Sequence, residues 1–557
     1  MMLNWLRRYW HTLRYLRWQQ IAYRLKYALP RAVPRSVGVQ KTRIWTRDPA
    51  NTWPMWMQAT LQKDLSFVFL NEAGTLSSPD SWNDPAHSKL WLYNLHYFND
   101  LSAIGAQDRR DDLARLVSRW IKENPSPRGN GWEPYPTSLR IVNWIKWGST
   151  QPDLVEQHWN ASLADQAYAL SQRLEFHILG NHLFANAKAL IFAGAWFQGE
   201  LAERWMSAGL KILEREILEQ FLPDGSHFEL SPMYHATMTW DLCDLLMLAR
   251  LSNLTVLTTQ VSKWKRVLKQ AMVWLNFMTH PDGEVAFFND SAMGAAPRYA
   301  DLKHYAELFL DVEVKERSVS DFDLFYAKSS GYCQITAGPA ALFIDVADVG
   351  PKYLPGHAHA DTLSFELSLH GQRLFVNSGI SVYGEGSLRR YQRSTPAHNT
   401  VVINGEDSSE TWAGFRVARR AQPINIKIQK YENSIQIEAA HNGYLRLPGK
   451  NIHHRCWMVT KNTLKIADSI EGKFNHALAF FHLHPSVEAE VLDGEGQVLE
   501  LRVSNGHVAR MKVRGGAVSI GAGYWYPEFG LKLENKHVIL NAQDASFSIE
   551  ISWDERF

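Results

Sequence analysis

The sequence predicts an α+β multidomain chain, with a helical domain of paired helices followed by an antiparallel β-sandwich. Three observations carry this prediction. From about residue 50 to 315 apolar residues recur at the helical period, and after about residue 325 they alternate with polar ones in short runs. The chain has 557 residues, enough for two or three domains. Hydrophobic residues make up 45% and charged residues 21%, which excludes a disordered chain and supplies material for a core.

Residues 1–29 read as one helix carrying Trp5, Leu6, Leu13, Leu16, Ile21 and Leu25 among arginines. The first fifty residues hold eleven Lys or Arg (Arg7 to Arg47) and one acid, Asp48. A local charge of +10 therefore hides behind a whole-chain charge of +2 and leaves −8 for the remainder. The overall balance argues against a nucleic-acid binder. The basic amphipathic start either meets an anionic membrane surface or a protein partner, or packs on the body with its arginines solvated. No apolar run suits a secretory signal or a spanning helix. The expected compartment is the cytoplasm, or the periplasm if the chain lacks its native leader.

Helical patterns follow at 165–175, 182–196, 200–219, 238–251 and 262–277, several closed by turn signals such as Pro223-Asp224-Gly225 and Pro281-Asp282-Gly283. Strand-type runs then appear at 332–335, 341–346, 363–369, 374–376, 399–403, 424–428, 435–439, 464–466, 477–484, 498–503 and 547–551. Turns such as Asn442-Gly443 and Asp493-Gly494 separate them, a pattern that suits an antiparallel sandwich. The expected organisation is a basic segment over 1–50, a helical domain over 51–320 and a β-domain over 321–557. Three scattered cysteines, Cys243, Cys333 and Cys456, form no disulfide framework and give little support to a thiol nucleophile. There is no phosphate-binding loop, dinucleotide fingerprint or serine elbow.

Five clusters could carry chemistry. Asn181 and His182 stand at a helix start, where backbone N–H groups favour an anion such as a carboxylate. Tyr234 and His235 open another helix after a polar turn. His357 and His359 are two apart before a strand and so share a face; with His398 they could bind a metal or divide acid–base and ligand roles. Arg389, Arg390 and Arg393, then Arg416, Arg419 and Arg420, offer guanidinium forks for carboxylate or sulfate. Finally, Trp91, Tyr93, Asn94 and His96, with Trp132, Glu133, Tyr135, Arg140, Asn143 and Trp144, mix rings with polar partners. The chain has 22 Trp, which either pack helices together or line a sugar-facing groove. The groove reading would place Trp91, Trp132 and Trp144 in it.

Five stretches occur in an order that resembles the heparinase II/III-like polysaccharide lyases: Tyr93-Asn94-Leu95-His96-Tyr97-Phe98, Asn181-His182, Ser231-Pro232-Met233-Tyr234-His235, Gly356-His357-Ala358-His359-Ala360-Asp361 and Thr395-Pro396-Ala397-His398-Asn399-Thr400. The resemblance covers roughly residues 50–480. It implies an N-terminal incomplete (α/α) toroid before the C-terminal β-sandwich, and β-elimination on an acidic glycan containing uronic acid. It implies that Asn181, with His182, neutralises the substrate carboxylate and that Tyr234 is the general acid. The base is then Tyr234 itself or His357, according to the face carrying the C5 proton. The clusters themselves offer substrate contacts among Tyr93, His96, Trp132, Tyr135, Arg140, Asn143, Trp144, His235, Arg389, Arg393 and Arg416. No cofactor is needed for the chemistry. A structural divalent metal, zinc, would sit at His359, Asn377 and His398, although the neutral amide of Asn377 is a weak ligand. Shorter relatives of this kind look like components of bacterial exopolysaccharide or O-antigen systems. Two other functions fit the sequence: a glycoside hydrolase using Glu133 and Glu229, or a non-catalytic glycan-binding or assembly protein of a polysaccharide export system.

Overall fold

The computed structural model describes residues 2–29, 34–45, 52–310, 322–493 and 497–554. The expected boundary near 320 and the one at 50 fall outside the described residues, as do Arg31, Arg47, Asp48 and Gly494.

The helical part forms an incomplete (α/α) toroid in which Gly180–Trp196 packs against both Pro134–Thr150 and Glu200–Gln220. Its central helix, Gly180–Trp196, is apolar almost all round and buried along nearly its whole length, as a helix inside a bundle must be. It crosses Glu200–Gln220 closely at two glycines. A Cβ on Gly194 would lie 2.8 Å from the Met206 backbone nitrogen, and one on Gly209 would lie 2.7 Å from the Ala187 carbonyl. Between helices Pro134–Thr150, Gly180–Trp196 and Pro232–Ser252 lies a buried charge network. Asp244 accepts from Lys146 at 2.9 Å, from Lys188 at 2.6 Å and from the Tyr305 hydroxyl at 3.0 Å.

The β-part contains an eight-stranded, a four-stranded and a five-stranded sheet, all paired antiparallel. Burial alternates along strands such as Thr463–Glu471, so Leu464, Ile466 and Ile470 face inward. These meet Val401, Phe481 and Leu540 of the four-stranded sheet and Ile344, Leu367 and Phe375 of the five-stranded sheet in one core. Among the strands that lie outside the sequence expectation are Ile452–Val459, Val508–Arg514, Gly516–Trp525 and Leu533–Ala542. In Ile452–Val459 the inward positions include His453 and Arg455, so the strand reads as polar. Arg455 is held by Asp468 and donates to the carbonyls of Leu363 (2.8 Å) and Asn399 (2.7 Å). The sandwich thereby fixes the backbone next to His398 and Asp361.

The N-terminal segment is two helices, Met2–Leu13 and Trp18–Ala28, not one. The break follows from two separate anchors. Arg17 stands in extended backbone at the junction, pairs with Glu219 and lies 3.7 Å over the Tyr353 ring. The first helix instead packs on the β-part, with Tyr9 against Trp412 and the Trp412 indole donating to Thr12.

Candidate active site

Two turns bring the first half of the site together. Leu179 and Gly180 both have positive φ (74° and 58°) and launch the central helix. A Cβ on Gly180 would lie 2.9 Å from Glu229 Oε1, so the glycine lets that carboxylate reach the helix start. Glu229 Oε1 accepts from the Asn181 side-chain amide (3.0 Å) and its backbone N–H (3.3 Å). That leaves Asn181 a second N–H and its carbonyl oxygen. His182 bonds through Nδ1 to Glu175 at 3.0 Å, and its ring lies 4.3 Å from Tyr135. Burial opposes protonation of His182, but the Glu175 carboxylate outweighs it and raises the imidazole above its ordinary value. The helix start thus presents an amide and a cation-forming imidazole side by side.

The second half is built around Asp290, which the sequence reading missed. Asp290 is fully buried and binds three groups: His357 Nδ1 at 2.8 Å, His359 Nε2 at 2.8 Å and the forked guanidinium of Arg389. Burial opposes its ionisation, but Arg389 and the two imidazole donors hold its carboxyl well below the usual carboxylate range. As an ionised acceptor it requires N–H at His357 Nδ1, leaving His357 Nε2 as the nitrogen for proton transfer. Glu229 Oε2 lies 3.5 Å from that nitrogen and has no hydrogen-bond partner among the described residues. The His357 ring is 4.1 Å from the Tyr234 ring. The hydroxyls of Tyr234 and Tyr383 are 3.0 Å apart. Burial, with Tyr383 and Tyr135 nearby, pushes the Tyr234 phenol well above its ordinary value, so it stays protonated. Arg389 lies over both Tyr383 and Phe415, at 5.0 and 5.4 Å. Asn181, Glu229, Tyr234, His357 and Asp290 therefore form one continuous polar cluster. Tyr383, like Asp290, stands in a coil of mixed polar and small residues and so lacked a sequence signal.

Next to this cluster, His359, Asp361 and His398 bring ligand atoms within 4.8 Å of one another. His359 uses Nε2–H on Asp290, and His398 uses Nδ1–H on the Ser394 carbonyl. Burial pushes both imidazoles down to about 4, so both are neutral at ordinary pH. Their remaining nitrogens face each other at 3.0 Å as two lone pairs, with the Asp361 carboxylate beside them. That donor set fits a small divalent cation. Asn377 does not belong to it: its amide donates to the Phe287 carbonyl and accepts the Asn399 N–H, so Asp361 is the carboxylate in the group.

Several expected substrate contacts are structural. Arg140 is fully buried and spends its donors on Gln166 and the carbonyls of His96 and Gly131, with its guanidinium 3.9 Å from the Trp120 ring. His96 bridges the Trp82 carbonyl and the Trp120 indole, and burial pushes it down to about 3. Asn143 ties Tyr97, Asn99 and Ser102 together. His235 accepts the His227 N–H and reaches the Ala271 carbonyl. Arg393 clamps the Ala358 and Gly414 carbonyls from a fully buried position. Trp91 and Trp144 are core residues. Trp132 is only partly buried, but its indole donates to the Asn124 carbonyl and its ring packs on Trp120. Trp132 and Trp144 instead belong to an indole array through Trp120, Trp159 and Trp147, and Trp91 packs on Phe69 and His87. Tyr135 remains at the site beside His182, and Tyr93 is half-buried with its hydroxyl on Glu133. Arg389 is at the site but is committed to Asp290. Arg416 is exposed and lies over Trp412 and Tyr9.

Comparison with known proteins adds a family. Residues 113–315 match the description "Heparinase II/III N-terminus", and residues 320–554 match "Heparinase II/III-like, C-terminal". A heparin-sulfate lyase of Bacteroides stercoris is 27% identical over 326 residues, 56% of this chain and 46% of the relative. One of Bacteroides thetaiotaomicron is 25% identical over 335 residues, 52% of this chain and 47% of the relative. The chain thus spans about half the length of the curated relatives it matches. Among solved structures, a heparinase III superposes with a TM-score of 0.67 and 18% identity, covering 97% of this chain and 90% of the other. That likeness establishes the shared fold, a helical toroid followed by a β-rich part.

Proposed function

The chain belongs to the heparinase II/III-like family, and from that premise we propose that it is a polysaccharide lyase cleaving an acidic, uronic-acid-containing glycan by β-elimination. The observation that carries this reading is the Asp290–His357–Tyr234 arrangement. It sets an oriented imidazole nitrogen and a protonated phenol side by side, next to the amide and imidazole at the start of the central helix. Heparan-type glycans are the first substrates to test, because the matched relatives are named heparin-sulfate lyases.

In the reaction, the bond between C5 and its hydrogen breaks, and the electron pair forms the C4–C5 double bond. The C4–oxygen bond breaks with the pair leaving on oxygen. Negative charge builds on the uronate carboxylate as the proton leaves, and fixed donors are what stabilise it. Asn181 supplies its free N–H, and His182 supplies positive charge at the helix start. His357 Nε2 takes the C5 proton, and the imidazolium formed has Asp290 at one nitrogen and Glu229 near the other. Tyr234 donates its proton to the leaving oxygen. Its raised phenol favours this acid role and leaves the base role to His357. Each acid–base role is worth roughly 10²–10⁴ in rate.

The same reading includes a structural zinc. His359, Asp361 and His398 would hold it, and when bound it would supply the positive charge that the two facing lone pairs lack. No step of the elimination passes through it. An exopolysaccharide or O-antigen substrate extends the same proposal to bacterial uronate polymers.

The test is ultraviolet absorbance of the conjugated product on heparan sulfate and on bacterial uronate polymers. Wild type should generate absorbance and Tyr234→Phe should not. Equal product from both proteins would remove Tyr234 from the mechanism.

A further inference from the structure

The N-terminal helical pair packs on the body through its polar and tyrosine face and turns its apolar face to solvent. In Met2–Leu13, Leu6, Trp10 and Leu13 are spaced i, i+4, i+7 and are exposed, Trp10 to 67%. In Trp18–Ala28 and the residue after it, Trp18, Ile21, Leu25 and Leu29 follow i, i+3, i+7, i+11, and Trp18 is 75% exposed. The opposite faces are the docked ones. Gln20 is buried against the Ile178 and Tyr353 carbonyls, Tyr27 donates to the Leu174 carbonyl, and Tyr9 and Thr12 meet Trp412. An amphipathic helix that merely covered a core would be oriented the other way round.

The charge around this face is all of one sign. Residues 2–29 contain Arg7, Arg8, Arg14, Arg17, Arg24 and Lys26 and no Asp or Glu. Arg8 and Arg17 pair with Glu410 and Glu219 on the body, while Arg7 and Arg14, three and four residues from the exposed Trp10, are themselves exposed. Exposed Trp and Leu bordered by arginines match the headgroup zone of a bilayer. There, indoles settle at the boundary, leucines enter the acyl region and guanidinium groups meet anionic headgroups. No helix among the described residues is long and apolar enough to cross a membrane, so contact would be in the plane of the surface.

We propose that the helical pair Met2–Leu13 and Trp18–Ala28 docks the protein on an anionic lipid surface through Leu6, Trp10, Leu13, Trp18, Ile21 and Leu25. An acidic glycan would need the arginines but would leave these apolar side chains in water. The placement has a consequence for the site. Trp412, which receives the first helix, shares a short hairpin with Phe415, whose ring lies 6.1 Å from His357. Docking would hold that hairpin, and with it the mouth of the site, next to the membrane.

The experiment uses the full chain and extruded vesicles of phosphatidylcholine, alone or with about one third phosphatidylglycerol. Co-sedimentation and tryptophan fluorescence are read together. Binding with a blue shift is expected on the anionic vesicles only. It should fall at least about tenfold in Trp10→Ser/Trp18→Ser/Leu25→Ser. Tyr431→Ser, an exposed ring on the β-part, should bind like wild type. A circular dichroism spectrum matching wild type confirms the triple variant's fold; if it differs, Trp18→Ser alone should show a graded loss. Three results would overturn the proposal. The first is equal vesicle binding by wild type and triple variant. The second is binding to heparin without binding to vesicles. The third is concentration-dependent self-association that the triple variant loses while vesicles remain unbound, which would give the face to a second copy of the chain.

Discussion

Replacing Asp290 by Asn tests how the site is held. The carboxylate accepts from His357, His359 and both terminal nitrogens of Arg389, and each partner is largely buried. An amide offers one acceptor oxygen and turns an NH₂ toward donors that expect an oxygen. Arg389 is 1% exposed, so it would keep a buried charge without its counter-ion. Removing one partner of such a pair costs about 3–5 kcal/mol. At roughly 2–4 °C per kcal/mol for a domain of this size, the melting temperature should fall by about 10 °C. Turnover should fall further than stability alone explains, because the donor contact that fixes His357 Nδ1–H is gone. A misoriented or mistautomerised general base costs roughly 10²–10⁴ in rate. Differential scanning calorimetry and the absorbance assay, run well below the variant's melting point, separate the two effects. Asp290→Asn with wild-type melting and turnover would refute the hub reasoning.

Other substitutions probe the remaining parts. His182→Gln should lower kcat/KM by about 10–100-fold, with kcat falling as well, since it removes a charged contact to the substrate carboxylate worth roughly 1.5–3 kcal/mol that strengthens as charge builds there. In the wild type that contact should weaken at alkaline pH, as pH rises through the raised His182 value and the ring loses its proton; an unchanged kcat/KM for the variant would argue against the carboxylate role. Purified protein should contain about one zinc by elemental analysis. Asp361→Ala should lower that content, whereas Asn377→Ala should leave it unchanged. Asp244→Asn should destabilise the toroid by about 3–5 kcal/mol by stranding Lys146 and leaving Lys188 to Asp241 alone. Burial opposes ionisation of Asp244, but the two lysines hold it below its ordinary value, so its stabilisation is present above the unfolded carboxylate range and lost as pH falls through the folded value. Acid titration of the melting temperature should therefore be shallower in Asp244→Asn.

The change from helical to alternating periodicity was legible in the sequence because it follows from which face of each element is buried. Asn181, Tyr234 and His357 stand out in the sequence as polar residues at helix starts and in a turn, but only the ordered resemblance groups them as one candidate site, and the fold does bring them together. Burial of polar groups was not legible. Arg140, Asn143, His96 and Arg393 have the composition of a binding groove, yet backbone carbonyls satisfy them inside the fold. Sequence spacing does not reveal that a long polar side chain will find such partners. Asp290 escaped notice for the opposite reason. It is a lone acid in the coil after Phe287-Phe288-Asn289, and its partners come from residues 67 to 99 positions away. Glu229 was weighed only as half of a hydrolytic pair with Glu133. In the structure it holds Asn181, while Glu133 binds Tyr93 and Lys89.

The central claim is elimination, in which no water enters the product. The most direct measurement digests heparan sulfate, or whichever uronate polymer is cleaved, in water enriched in heavy oxygen and weighs the fragments. The account predicts unsaturated non-reducing ends, lighter by one water than hydrolysis products and free of the isotope from cleavage. Saturated fragments that carry one solvent oxygen per cut would contradict it.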